Sequence, residues 1–180
     1  MLARLIQIVN NFSCYRTDAI IISNNPTINT YSCIDGVDAS NCTWKNTIPF
    51  VAPIDSGLVI KVYDGDTITI AAKLPYKDSE IYRFSVRLNG IDCPEMKGKD
   101  ENEKGCAILA KNEIAHLVLN NFVTLKNVCT EKYGRVLADV YIGDLHLNQH
   151  LLDKRLAVAY SGKTKISPTN WMDYHNNGTI

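Results

Sequence analysis

Apolar and polar positions alternate with a period of two through Tyr82-Arg83-Phe84-Ser85-Val86-Arg87-Leu88, which places Phe84, Val86 and Leu88 on one face and Arg83, Ser85 and Arg87 on the other. Upstream, the runs Leu58-Val59-Ile60 and Ile68-Thr69-Ile70 flank Asp64-Gly65, a pair suited to the turn of a β-hairpin. Further strand-like runs cover residues 122–128 and 136–142. Between these sets, Ala107, Ala110, Ile114, Leu117 and Val118 recur at helical spacing. Gly143-Asp144 turns the chain toward a second helix over residues 147–155. Ser167 followed by Pro168 predicts a third, short helix, with the serine as cap and the proline in the first turn. Few strands with two or three helices fit a small barrel. Residues 11–50, rich in Asn, Ser and Thr and lacking a period, read as a loose or peripheral arm ahead of it.

Composition narrows the class. At 180 residues and 46% hydrophobic content the chain can bury one substantial core without a partner. Nineteen basic residues balance nineteen acidic ones, so the chain lacks the cationic excess of tight, non-specific nucleic-acid binders, and transient contact is favoured over coating. The apolar start Met1-Leu2-Ala3-Arg4-Leu5-Ile6 is broken by Arg4, Gln7 and Asn10 before a secretory core develops, and no run is long enough to span a membrane. The expectation is an intracellular monomer without membrane attachment, although the acid-free stretch up to Arg16 has the composition of an organelle presequence. Six cysteines, at 14, 33, 42, 93, 106 and 129, show no metal-binding spacing and read as scattered thiols, with a disulfide among Cys14, Cys33 and Cys42 open if the protein is exported. His146 and His150 stand four apart but lack the glutamate of a metalloprotease motif, so they read as a surface pair. There is no glycine-rich phosphate loop or nucleophile elbow.

The chemistry gathers at strand ends. Asp66 lies in Tyr63-Asp64-Gly65-Asp66-Thr67, Arg87, Asp92 and Glu95 in Arg87-Leu88-Asn89-Gly90-Ile91-Asp92-Cys93-Pro94-Glu95, and Arg135 in Lys132-Tyr133-Gly134-Arg135. Hard cations such as Ca²⁺ and Mg²⁺ take oxygen ligands, and an ion held by two or three protein oxygens keeps positions for water and a phosphate oxygen. Glu95, three residues past Asp92, is placed to activate that water. The planar guanidiniums of Arg87 and Arg135 match phosphate oxygens and remain charged at any working pH. This is the residue set of a phosphodiester-cutting site.

On these motifs, together with Leu156-Ala157-Val158-Ala159-Tyr160, the chain resembles the staphylococcal nuclease (thermonuclease) family over residues 57–165. The resemblance implies a five-stranded OB-type barrel with flanking helices, an α+β fold that is mainly β. It implies Ca²⁺-dependent hydrolysis of DNA and RNA leaving 3′-phosphate ends. By position, Asp66 and Asp92 become carboxylate metal ligands, the Cys93 carbonyl a further ligand, and Glu95 the general base. Arg87 and Arg135 become phosphate clamps, Lys132 and Tyr133 would touch a terminal phosphate, and Tyr160 would stack near a base or sugar. The resulting division is an N-terminal extension over residues 1–50, a nuclease-like domain over 51–165 and a short tail over 166–180.

Three features depart from the family pattern. Cys93 stands where a threonine is usual, Ser161-Gly162 follows Tyr160 where a second aromatic is expected, and the long charged C-terminal helix is absent. None removes a proposed catalytic group. The alternative reading is a non-catalytic barrel of the same type that binds nucleic acid or a protein; such copies usually lose acidic or arginine positions that are all present here.

Overall fold

The computed structural model describes residues 42–163 and 166–178. The expectations for residues 1–41, including Cys14 and Cys33, lie outside the described residues. The chain divides into two compact units, Met1–Thr47 and Ile48–Ile180. Among the described residues of the first, Thr43 and Asn46 close a turn, with the Thr47 amide donating to the Thr43 carbonyl at 3.1 Å.

The second unit is built on strands β1 (Ser56–Val62), β2 (Thr67–Lys73), β3 (Ile81–Leu88), β5 (Phe122–Thr130) and β6 (Val136–Ile142). Antiparallel pairing links β3, β2, β1, β5 and β6 in that order, and a parallel pairing of β3 with β6 closes the ring. The result is the five-stranded barrel the resemblance implies. Closure needs local bends, and both β1, between Val59 and Lys61, and β5, between Lys126 and Cys129, slip register there. Asn127, inside the second bend, has a φ of 52°, a left-handed conformation that asparagine tolerates better than most residues. Val59, Ile68, Ile70, Val86, Leu88, Val123, Leu125, Val136, Ala138 and Val140 are buried, as the two-residue alternation requires.

Helix α1 (Glu101–Val118) buries Cys106, Ala110, Ile114 and Val118, spaced four apart along one stripe. Asp100 caps it by accepting the Glu103 amide. Helix α2 (Leu147–Asp153) is fastened to the barrel by buried Asn148, whose side-chain carbonyl accepts the Val140 amide at 3.0 Å and whose amide donates to Asn89 O at 2.7 Å. Those two bonds also fix the turn between β3 and the short strand β4 (Ile91–Asp92). Strand β7 (Leu145–His146) extends the sheet beyond β6, and β8 (Val158–Ala159) pairs with β4.

Helix α3 (Trp171–Asn177) corrects one expectation: it starts after Asn170, which accepts the Met172 and Asp173 amides, and not at Ser167-Pro168. Asparagine at that position satisfies two first-turn amides, whereas Ser167 lies four residues before the first helical one. Trp171 is 3% exposed and joins the core, so the segment after residue 165 is packed into this unit. The histidine pair is also corrected. His146 ends β7 and stacks on Tyr141, while half-buried His150 meets Glu113 at 2.7 Å, so the two serve separate contacts. Among the described residues, no helix is long and apolar enough to cross a membrane.

Candidate active site

Register brings the chemistry together. Thr67 opens β2 opposite Arg87, so Asp66, at the foot of the hairpin, comes within reach of the Arg87 guanidinium. Parallel pairing sets the start of β6 beside the end of β3, Val136 against Val86, and brings Arg135 to the same end of the barrel. Strand β4 then delivers Asp92, and Cys93-Pro94-Glu95 follow at its exit.

Arg87 ties the carboxylates: Nη1 donates to Asp66 Oδ1 and Nη2 to Asp92 Oδ1, both at 2.7 Å. Asp66 is 3% exposed; its Oδ1 also accepts from the Thr67 hydroxyl at 2.8 Å and its Oδ2 from the Cys93 amide at 3.2 Å. Burial works against the Arg87 charge, but Asp66, Asp92 and Asp64 outweigh it and raise its pKa. Asp64 has the opposite problem. Burial, and then the neighbouring Asp66, push its carboxyl up to about 6. Burial and the same carboxylates push the Cys93 thiol well up, so it is a packing group here. That packing explains Gly65: a Cβ there would lie 2.7 Å from Ala110 Cβ and 2.8 Å from Cys93 Sγ.

A cavity of about 220 Å³ is lined by Tyr63, Asp64, Asp66, Arg87, Cys93, Glu95 and Arg135. Glu95 is on its exposed rim. Arg135 enters from the β6 side, with Nε and Nη2 donating to the two carboxylate oxygens of Glu131 at 2.8 and 3.0 Å. That bond raises the Arg135 pKa and holds Glu131 below the usual carboxylate range. Asp92 is not among the residues lining the cavity but is bonded to Arg87, which is. A second cleft, of about 270 Å³, shares Arg87 and is lined by Gly90, Glu131, Lys132, Tyr160 and Ser161 among others. The Tyr160 amide donates to Gly90 O at 2.9 Å, which ties that residue to the β3–β4 turn. Tyr133 is exposed and lies under the Lys132 ammonium, 4.7 Å from its ring centre.

Among the described residues, no three His, Cys, Asp or Glu side chains stand together as a ready-made metal site. The lining nonetheless holds three carboxylates, Asp64, Asp66 and Glu95, of the oxygen type a hard divalent cation takes, and they outnumber the two guanidiniums beside them. Asp66 and Asp92 each give Oδ1 to Arg87, and each carries a second carboxylate oxygen outside that contact. The motifs showed Asp66, Arg87, Asp92, Glu95 and Arg135; they did not single out Tyr63, Asp64 or Glu131. Asp64 and Glu131 sit within two and four residues of a motif residue, and only pairing shows which way they face.

The family model of staphylococcal nuclease homologues matches residues 85–175, a span that holds every proposed site residue except Asp66. The chain belongs to the staphylococcal nuclease family. It is 36% identical over 107 residues to a thermonuclease from Staphylococcus intermedius, covering 58% of this chain and 60% of that protein. It is 27% identical over 108 residues to a probable endonuclease from Kluyveromyces lactis, covering 57% of this chain and 40% of that one. An uncharacterized 38.1 kDa protein from Capnoides sempervirens is 30% identical over 83 residues, 46% of this chain and 23% of its own. The chain therefore spans less than two thirds of each of these relatives. For this staphylococcal nuclease homologue the hairpin bearing Asp64 and Asp66 precedes the matched span, and the strand register above ties it to the matched part.

Proposed function

We propose that this chain is a Ca²⁺-dependent phosphodiesterase that hydrolyses DNA and RNA and leaves 3′-phosphate ends. The observation that carries the reading is one cavity lined by Asp66, Glu95, Arg87 and Arg135, with Arg87 bridging Asp66 to Asp92. The names of the Staphylococcus intermedius and Kluyveromyces lactis relatives support the same reaction class.

In this reading Asp66, Asp92 and the Cys93 carbonyl would hold the cation, which when bound would polarise the phosphate and neutralise developing charge. Glu95, on the rim, takes the proton of the attacking water. Arg87 and Arg135 direct N–H donors at the phosphate oxygens, where a planar fork stabilises the crowded transition state better than an ammonium would. Glu131 occupies the Nε–Nη2 edge of Arg135, so a phosphate that takes that edge displaces it. Lys132 and Tyr133 contact a terminal phosphate, and Tyr160 stacks beside a base or sugar in the adjoining cleft. The catalytic unit is assigned to the barrel and its helices, working as a monomer; residues up to about Asn46 are not required, because every proposed catalytic residue follows Tyr63.

Incubation of the purified protein with single-stranded DNA and with RNA tests this reading. Cleavage with Ca²⁺ that stops on chelation is expected; full cleavage in chelator overturns the mechanism. Binding without cleavage in any divalent ion would favour the non-catalytic barrel.

A further inference from the structure

The segment that carries Glu95 donates two backbone hydrogen bonds to one side chain. Residues 93–100 connect β4 to α1, and after buried Cys93-Pro94 the mostly polar sequence Glu95-Met96-Lys97-Gly98-Lys99-Asp100 offers the core little to hold. On the outer side a cavity of about 600 Å³ separates the segment from Ser167, Pro168, Thr169 and Trp171, so packing does not fix it there. Glu103 of the first turn of α1, which lines the same cavity, reaches back to the loop. Its Oε1 accepts the Glu95 amide at 3.3 Å and its Oε2 accepts the Lys99 amide at 2.9 Å. The loop closes on that carboxylate with the Gly98 amide donating to Glu95 O at 2.8 Å. Gly98 lies over the side chain so closely that a Cβ there would come within 2.5 to 2.8 Å of Glu103 Cγ, Cδ and Cβ. Asp100 fixes Glu103 in turn by accepting its backbone amide at 2.9 Å.

We propose that Glu103 is the positioning residue for Glu95: it pins both ends of the 95–100 loop to α1 and so fixes where the Glu95 carboxylate stands at the cavity rim. The inference rests on the proposed role of Glu95 as base. Glu103 touches neither phosphate nor cation in this scheme and acts only through the loop. Two backbone amides aimed at one carboxylate hold a loop more rigidly than either alone, and a base displaced by about 1 Å can lose about a hundredfold in rate.

The test compares the full chain with Glu103→Ala and Glu103→Gln, each with Glu95 intact and with Glu95→Gln. Hydrogen exchange of the Glu95 and Lys99 amides is one readout. The kcat and KM for a single-stranded DNA oligonucleotide in Ca²⁺ are the other. Glu103→Ala should speed exchange at those two amides and leave barrel amides unchanged. It should lower kcat about tenfold or more with KM nearly constant. Glu103→Gln, with one oxygen acceptor left, should fall between, and it serves as the folded variant if the alanine form is unstable. In the Glu95→Gln background neither change should cost further rate, because the group being positioned is gone. Unchanged exchange at Glu95 and Lys99 overturns the anchoring. Faster exchange with unchanged kcat, or an equal rate loss in the Glu95→Gln background, overturns the positioning role. A wild type that exchanges as expected but does not cleave overturns the proposed function, and with it the positioning of a base, while leaving the anchor itself established.

Discussion

Glu131 holds the guanidinium of Arg135 along one edge, its carboxylate oxygens accepting from Nε at 2.8 Å and from Nη2 at 3.0 Å. A phosphate that takes that edge must therefore compete with a side chain four residues away. The contact also sets a pH dependence. The Arg135 hydrogen bond holds the Glu131 carboxyl below its usual range. A depressed folded-state value means that the stabilisation is present above the unfolded carboxylate pKa of about 4.3 and is lost as pH falls through the lower folded value. The melting temperature of Glu131→Gln should lie slightly below wild type at neutral pH, and the gap should close only in acid. A gap that is constant down to pH of about 2 would show that the pair contributes through shape and not charge.

The two arginines should part company when each is changed to lysine. Arg135 and Glu131 are partly open to solvent, and such pairs contribute about 0–1 kcal/mol, so Arg135→Lys should fold almost as well as wild type. Arg87 bridges two buried carboxylates from two separate nitrogens, and a lysine ammonium, with one nitrogen on a shorter stem, does not reproduce that two-armed contact. Arg87→Lys should cost about 1–3 kcal/mol of stability. Both variants should lose turnover by about a hundredfold or more, since each loses the bidentate contact. Urea denaturation beside initial rates checks the contrast; equal stability losses would mean that the Arg87 bridge is not what holds the carboxylates together.

Metal retention separates ligand from base. Asp66→Ala should weaken Ca²⁺ binding and activity together, because it removes a buried oxygen donor. Glu95 stands on the exposed rim, so Glu95→Gln should leave calorimetric Ca²⁺ binding nearly intact while cutting kcat about 10²–10⁴-fold. Near-wild-type turnover by folded Glu95→Gln would remove it from the role of base.

Gly65 is a glycine for lack of room. Gly65→Ala should destabilise the chain by about 1–3 kcal/mol, because its new methyl meets Ala110 Cβ and Cys93 Sγ at under 3 Å. Adding Cys93→Ala, which clears one of those atoms, should return part of the loss. If thermal melts place the double variant below both singles, the overpacking account fails.

Periodicity and turn residues determined the main strands and first two helices of this protein. The alternation through β3, the Asp64-Gly65 hairpin and the four-residue stripe of α1 are local consequences of which side chains can face a core, so the chain states them outright. The motif residues Asp66, Arg87, Asp92, Glu95 and Arg135 were legible for the same reason, since their order and spacing survive in one dimension. What the chain could not state was pairing between distant segments. The closure of β3 on β6, which brings Arg135 to the end of the barrel where Asp66 lies, joins residues about 50 apart. The start of α3 was misread because Ser167-Pro168 and Asn170 both carry start signals, and the burial of Trp171 distinguishes them. Glu131 on Arg135 and Glu103 on the Glu95 loop were invisible because a carboxylate on a turn or a helix reads as a solvated charge until the groups that donate to it are in place. Sequence fixes which groups can interact; only the closed barrel decides which of them do, because hydrogen bonds and ion pairs depend on distances of about 3 Å that no spacing along the chain encodes.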